Sequence, residues 1–272
     1  MALTNAPFSN IFIENEIKDQ LKSLINMENY FKVDTSLELT PGMIKQINRY
    51  EATSGTATVT KGNGNGSSIA VQYDPAQYTI ACLQNRFEWY DEDELTDPTM
   101  IITGLRFGLT DMWNVAQQNM YTALVNACPV GNVVNATVPD VAAFIDAVAL
   151  LGAEEDANIR PFAMVSVNDL AKIRKAVKSD LVYYPDFVRT GYVGTLNGVD
   201  IINTKYATDK TILVATRTAG TLFLKKDTTV EIVREGNRDD TAANIRKNAA
   251  FVRKYCVPAA TDATKIATIV LP

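Results

Sequence analysis

The stretch FEWYDEDELTDPTMIITGLRFGLTDMWNVAQQNMYTALV, Phe87 to Val125, joins an alternating aromatic run to a long apolar periodicity, and its reading decides the fold. At its head, Phe87 and Trp89 alternate with Arg86 and Glu88, the period-two pattern of a half-buried strand rather than a base-stacking platform. Pro98 then takes the first helical position, where its missing N–H costs nothing, and Asp97 is placed to cap the orphan amides behind it. From there Ile102, Leu105, Leu109, Met112, Ala116, Met120 and Leu124 recur every three or four residues, to about Ala127. That spacing predicts one apolar stripe on a helix of roughly 45 Å, far beyond the usual three or four turns, and so a structural strut. Gly104 and Gly108 inside it each cost about 1 kcal/mol relative to alanine and mark where another element can come close.

Two chemistries compete for the acidic cluster between strand and helix. Asp91, Asp93 and Glu94, with Glu92 and Asp97, could hold a hard divalent cation or act as paired carboxylates. The cluster lacks the alternating donors, central glycine and terminal glutamate of a calcium loop, however, and acids just before a helix stabilise its positive end without any further role. The groups EED at 154–156 and RDD at 238–240 read as solvated turns.

Composition narrows the classes. The 272 residues are 47% hydrophobic, enough for a sizeable core, and a net charge of −5 leaves no basic stripe of the kind that grips nucleic acid. The basic residues Lys172, Arg174, Lys175 and Lys178 fall at helical spacing, as the wet side of an amphipathic helix. Zero histidines exclude Ser-His-Asp and Cys-His catalysis and every imidazole metal site. Cys82, Cys128 and Cys256 lie far apart, without a zinc knuckle or disulfide framework, which suits a reducing compartment. No apolar run reaches the ~18 residues of a membrane span, and MALTNAPFSN has neither the basic nor the apolar part of a signal peptide.

Upstream of the decisive stretch, residues 13–31 form a modestly amphipathic helix candidate on Ile13, Ile17, Leu21 and Leu24. Then come short β-type runs, MIKQINRY, TATVT, SIAVQY and YTIACLQNRFEWY, broken at Pro41-Gly42, Ser54-Gly55, a glycine loop and Asp74-Pro75. The loop, Lys61-Gly62-Asn63-Gly64-Asn65-Gly66-Ser67-Ser68, poses a choice between phosphate cradle and hairpin tip. Gly62, Gly64 and Gly66 fit neither a Walker nor a dinucleotide spacing, and a phosphate loop needs a helix directly behind it. Because an isolated hairpin is marginal in water, this excursion should lie on its own body or on another subunit.

Downstream the pattern is mixed α/β. PDVAAFIDAVALLG places Val141, Phe144, Ile145, Val148 and Leu151 on one helical face ending at Gly152. PFAMVSV is a buried strand leading into a helix capped by Asn168, with Leu170, Ile173 and Val177 inward. Asn197-Gly198 is a type I′ hairpin signal. Strand runs TILVATR, TLFLKKD, TVEIVRE, AAFVRKYCVP and TKIATIVLP complete the chain.

This order of parts resembles the major capsid proteins of tailed bacteriophages, the HK97-like α+β fold. Phe87–Val125 looks like the exit of its E-loop into the spine helix, and GYVGTLNGVDIINTKYATDKTILVATRTAGTLFLKKDTTVEIVRE, Gly191–Glu235, like its A-domain hairpin region. The resemblance implies an N-terminal arm at 1–35, an E-loop excursion at 36–90, a spine helix and part of the P-domain at 91–137, an A-domain at 138–235, and strands returning to the A/P body at 236–272. It also implies a non-enzymatic shell protein without catalytic site, metal or cofactor, forming pentamers and hexamers of an icosahedral phage head around double-stranded DNA that it does not read by sequence. A separate scaffold protein and a portal belong to that picture, with assembly in the host bacterial cytoplasm and residence in the virion; the short N-terminal stretch of about 35 residues and Met1 point to the separate scaffold. On this reading Lys61, Gly62, Gly64 and Gly66 form the tip of an intersubunit arm, and Asp97, Ile102, Leu105, Leu109 and Met112 the cap and core of the spine. Some relatives cross-link through a Lys-Asn isopeptide bond, but no partner for Lys61 can be assigned. An encapsulin-like nanocompartment shares the fold and remains the alternative, and a histidine-free carboxylate or metal enzyme using Asp91, Asp93 and Glu94 the distant one.

Overall fold

The long apolar stripe folds as α2 (Thr99–Asn126), a helix of 28 residues preceded by the short α1 (Asp91–Thr96). The computed structural model describes residues 26–96, 99–152, 160–178, 194–234 and 247–272, so the predicted cap Asp97-Pro98, residues 1–25 and the acidic groups at 154–156 and 238–240 lie outside the described residues. Leu105, Leu109, Met112, Ala116, Met120 and Leu124 are buried. The stripe starts at Ile101, which is buried, whereas the predicted Ile102 is only half-buried. Both can face inward, but Ile101, four residues before Leu105, is nearer the centre of the buried face. The helix ends where Ala127 and Cys128 donate to the carbonyls of Leu124 and Val125, just before Pro129.

Two sheets pack along α2. One has the order β1 (Lys32–Asp34), β10 (Gly220–Arg234), β11 (Lys247–Ala260), β4 (Ala81–Tyr90). The other runs β5 (Val133–Asn135), β12 (Ile266–Val270), β9 (Thr211–Thr216), β6 (Pro161–Val165), β8 (Val199–Asn203), β7 (Thr195–Leu196). In the second sheet successive residues of β6 and β9 serve opposite faces. Ala163, Val165, Ile212 and Val214 meet α3 (Val141–Leu151) and α4 (Val167–Ala176), while Phe162, Met164, Leu213 and Ala215 meet Met120, Tyr121 and Leu124 of α2. Coverage of both faces explains why PFAMV is an unbroken apolar run. A third cluster joins Ile101, Leu105, Leu109 and Met112 to Trp89 of β4, Val230 of β10 and Ala250 and Val252 of β11. The strut is therefore shared: its first half roofs one sheet and its last turns roof the other.

Local signals set several boundaries. Asp140 Oδ1 accepts from the Ala143 amide to start α3, and Gly152, at φ 56°, ends it in the left-handed conformation. Asn197 and Gly198 both have positive φ, 49° and 76°, closing the β7–β8 hairpin as a type I′ turn requires. Other expectations need correction. The cap of α4 is Ser166, whose Oγ accepts from the Asp169 amide at 3.2 Å, while Asn168 reaches sideways to Asp209. Ile145 is exposed, and Ala147 takes the inward place. TLFLKKD and TVEIVRE form one strand, β10, because register shifts between Leu224 and Thr229 absorb the polar KKD interruption without ending its pairing with β11.

The excursion is a hairpin of β2 (Ile44–Ala52) and β3 (Val71–Thr79), in register from Ile44↔Thr79 to Ala52↔Val71. Asp74-Pro75 does not break β3: Pro75 pairs opposite Asn48 in a two-stranded ribbon, where one side of each strand needs no donor. TATVT forms no strand. The last run of the predicted excursion, β4, belongs to the body sheet, paired with β11 from Ala81↔Cys256 to Tyr90↔Lys247. Of the predicted N-terminal helix, the described part is a single 3₁₀ turn, Met27–Tyr30, capped by Asn26.

Candidate functional site

The hairpin has two chemically different faces. Lys45, Ile47 and Arg49 of β2 share a side with Asp74, Ala76 and Tyr78 of β3, and this side meets the body. Arg49 donates to the Thr261 carbonyl and, at 3.2 Å, to the Tyr78 hydroxyl. Lys45 Nζ lies 2.6 Å from Ser36 Oγ and 3.5 Å from Asp34, and the Tyr78 ring stacks on Phe223 with centroids 5.1 Å apart. The other side carries Ile44, Gln46, Asn48, Tyr50 and Ala52 opposite Thr79, Gln77, Pro75, Tyr73 and Val71. All ten are exposed and none is charged. Tyr50 and Tyr73 pair directly across the ribbon, ring centroids 6.2 Å apart, at 69% and 65% exposure. The alternation that makes this face was present in the sequence; which face the body leaves open was not.

At the tip, Asn63 N donates to Thr60 O at 3.1 Å, closing a turn around Lys61 and Gly62, and Gly62 has φ +94°. Such a turn demands glycine at its third position. Gly64 and Gly66 have open space where a side chain would stand. Strand β3 follows the loop, so the helix that a phosphate cradle needs is missing from this position.

Three acids of the cluster, Asp91, Asp93 and Glu94, are tied into the surrounding structure. Asp93 Oδ2 accepts from the Tyr90 amide at 3.1 Å, the backward half of a capping box. Asp91 Oδ1 accepts from buried Asn248 at 2.6 Å, and Glu94 takes the Trp89 indole N–H at 3.2 Å and the Arg234 guanidinium at 2.9 Å. These bonds fasten α1 to β4, β10 and β11. Among the described residues no group of three potential metal ligands comes together, and no helix is long and apolar enough to cross a membrane.

Among the described residues two charged groups are deeply buried, Asp169 of α4, which accepts from Lys172 and the Lys210 amide, and Lys254. Lys254 of β11, 3% exposed, lies 2.7 Å from Glu28 and 3.5 Å from Asp227. Burial disfavours its ammonium form, but Glu28 and then Asp227 more than offset this and hold its pKa above that of an ordinary lysine. Its neighbour Cys256 is buried too, and burial pushes that thiol up to about 11.

No protein-family model and no curated protein sequence matches the chain. Solved structures do match it. A structure from Mycobacterium phage Che8 is 15% identical, with a TM-score of 0.68 over 90% of each chain. The capsid of cyanophage P-SCSP1u is 12% identical, with a TM-score of 0.68 over 91% of this chain and 88% of that one. The SrpI encapsulin complex from Synechococcus elongatus is 12% identical, with a TM-score of 0.63 over 90% and 86%. The chain thus has the HK97-like α+β fold.

Proposed function

We propose that this chain is the major capsid subunit of a tailed phage, a structural protein that closes with its copies into an icosahedral shell of pentamers and hexamers around double-stranded DNA. The observation that carries the reading is the hairpin's ten-residue uncharged face, exposed on an arm whose charged face is already committed to its own body. A lone subunit gains nothing from a solvated ribbon with two facing tyrosines, whereas a neighbouring copy would bury it. In this reading residues 1–35 are an N-terminal arm, 44–79 the E-loop with Lys61, Gly62, Gly64 and Gly66 at its tip, α2 the spine, and the six-stranded sheet with α3 and α4 the A-domain. A separate scaffold and a portal complete the assembly in the host bacterium, and the virion is its destination. The acidic balance agrees with a shell that encloses DNA without gripping it.

Electron microscopy of the purified protein tests the shell. Replacing residues 61–68 by Asn-Gly tests the arm: loop closure changes by only ~0.6 kcal/mol per doubling of length, so the subunit should still melt cooperatively while regular shells fail to close. Normal shells from the shortened chain would remove the tip from the closure mechanism. The likeness to the SrpI encapsulin supports a second reading, a shell around protein cargo. Nucleic acid, rather than a co-purifying protein, inside particles from infected cells decides for the phage head.

A further inference from the structure

Between the two apolar clusters along α2 lies a partly polar level about two helical turns deep, with Leu83 packing on both clusters at one side. On α2, Met112 closes the first core and Met120 opens the second, with Trp113 and Gln117 between them. On β11, Val252 belongs to the first, Cys256 to the second, and Lys254 stands between. On β10 the same level is occupied by the irregular segment between Leu224 and Thr229, which contains Asp227.

Into this layer comes one further segment, the chain from Asn26 to Asp34. Met27 and Phe31, both fully buried, plug into the second core. Between them, Glu28 meets Lys254 at 2.7 Å, and the Met27 amide donates to Gln117 Oε1 at 2.7 Å. The Lys254 ammonium also sits 5.5 Å from the centre of the Trp113 ring. Gln117 is fully buried, and its Nε2 has no partner among the described residues, so the helix carries the cost of a half-used amide whose remaining bond goes to this segment. A buried ion pair is weak evidence for stability, because well-packed apolar residues of similar volume commonly do as well. What the pair supplies is selection: an apolar layer would accept any apolar segment, whereas a buried cation and an amide acceptor accept a segment presenting a carboxylate beside a free N–H.

We propose that Lys254 and Gln117 form a latch for Met27 and Glu28, and that the latch sets where the N-terminal arm leaves the subunit, which makes these four positioning residues for assembly. The assembly half of this inference rests on the shell reading; the latch itself does not. The Met27 amide is held at Gln117, beside the middle of α2, and an arm whose point of departure varied could not meet the same place on every neighbour in a closed lattice.

The test uses the full chain with Glu28→Gln plus Lys254→Met, which removes both charges and leaves none buried unpaired. Hydrogen exchange of unassembled subunits should be roughly tenfold faster or more in the peptide containing Met27 to Phe31, with α2 and β9 unchanged. Particles should be lost or irregular by electron microscopy, and the charge-swapped Glu28→Lys plus Lys254→Glu, combined with Asp227→Asn so that the new carboxylate meets no like charge, should regain regular shells. Unchanged exchange in the neutralised variant overturns the latch, and rapid exchange with normal shells overturns its role in assembly. If the double variant does not fold, Glu28→Gln alone, in which Lys254 retains Asp227, gives the same exchange readout. Should the wild type form no shells, the shell reading fails while the exchange arm still decides the latch.

Discussion

Gly104 of α2 lies against the ring of Phe87 of β4. A Cβ built on Gly104 falls 2.7 Å from Phe87 Cε1 and closer still to Cε2 and Cζ, and the ring also stacks with that of Trp89, 5.6 Å away centroid to centroid. This contact fixes how near the strut approaches the edge strand. Gly108, one turn on, meets only the Asn85 side chain, at 3.3 Å from Oδ1.

The two glycines should therefore respond in opposite directions. Gly104→Ala gains up to about 1 kcal/mol of helix propensity but incurs roughly 1 to 3 kcal/mol of overpacking against a stacked ring, and is expected to lower the melting temperature. Gly108→Ala collects the propensity gain against a side chain that can shift, and is expected to leave the melting temperature equal or higher. A stabilising Gly104→Ala would mean that the ring moves freely.

Leu109 and Phe107 separate core from surface on the same helix, at 2% and 69% exposure. Leu109→Asp places an unpartnered charge in the cluster with Trp89 and Val252, a cost of several kcal/mol against a total of about 5 to 15, and should abolish soluble folded subunit. Phe107→Asp should fold normally. Circular dichroism and soluble yield compare them, and a folded Leu109→Asp protein would show the buried face to be misassigned.

At α1, Asp93→Ala should cost about 0.5 to 2 kcal/mol through loss of the acceptor for the Tyr90 amide, and Asp93→Asn much less, since an amide oxygen still accepts. Thermal melts read the difference. Tight stoichiometric binding of Mg²⁺ or Mn²⁺ abolished equally by both changes would instead revive the carboxylate enzyme.

The cysteines should label in order of burial. Cys82 is exposed and Cys256 buried with its thiol raised to about 11, so at pH 8 almost none of the latter is thiolate. A maleimide should modify Cys82 of the dissociated native subunit rapidly, and Cys256 only after denaturation. Mass spectrometry of timed digests checks this, and native labelling of Cys256 at the rate of Cys82 would show that the latch region opens readily.

What the sequence determined by itself was whatever rests on local signals. The spacing from Leu105 to Leu124 made α2, Asp140 and Gly152 bounded α3, and Asn197-Gly198 closed the β7–β8 turn, because capping, left-handed φ and a 3.6-residue period are properties of a few neighbouring residues. The glycine loop was legible as a tip for the same reason. Everything decided by a distant partner had to wait for tertiary structure. Asp74-Pro75 looks like a strand break until β3 is seen with only one neighbour, and KKD looks like a turn until β11 holds both halves of β10 in one ladder. Ile145 and Ala147 both fit an inward helical face, and the sheet chose between them. The hairpin's uncharged face was encoded by alternation, but its freedom arises only because Arg49 and Tyr78 reach Thr261 and Phe223, residues far along the chain. Lys254 is the extreme case: in sequence it is one more cation on a strand, and only the convergence of Glu28, Asp227 and Trp113 from three other segments makes it buried and paired, since the field a charge feels is set by what folds around it.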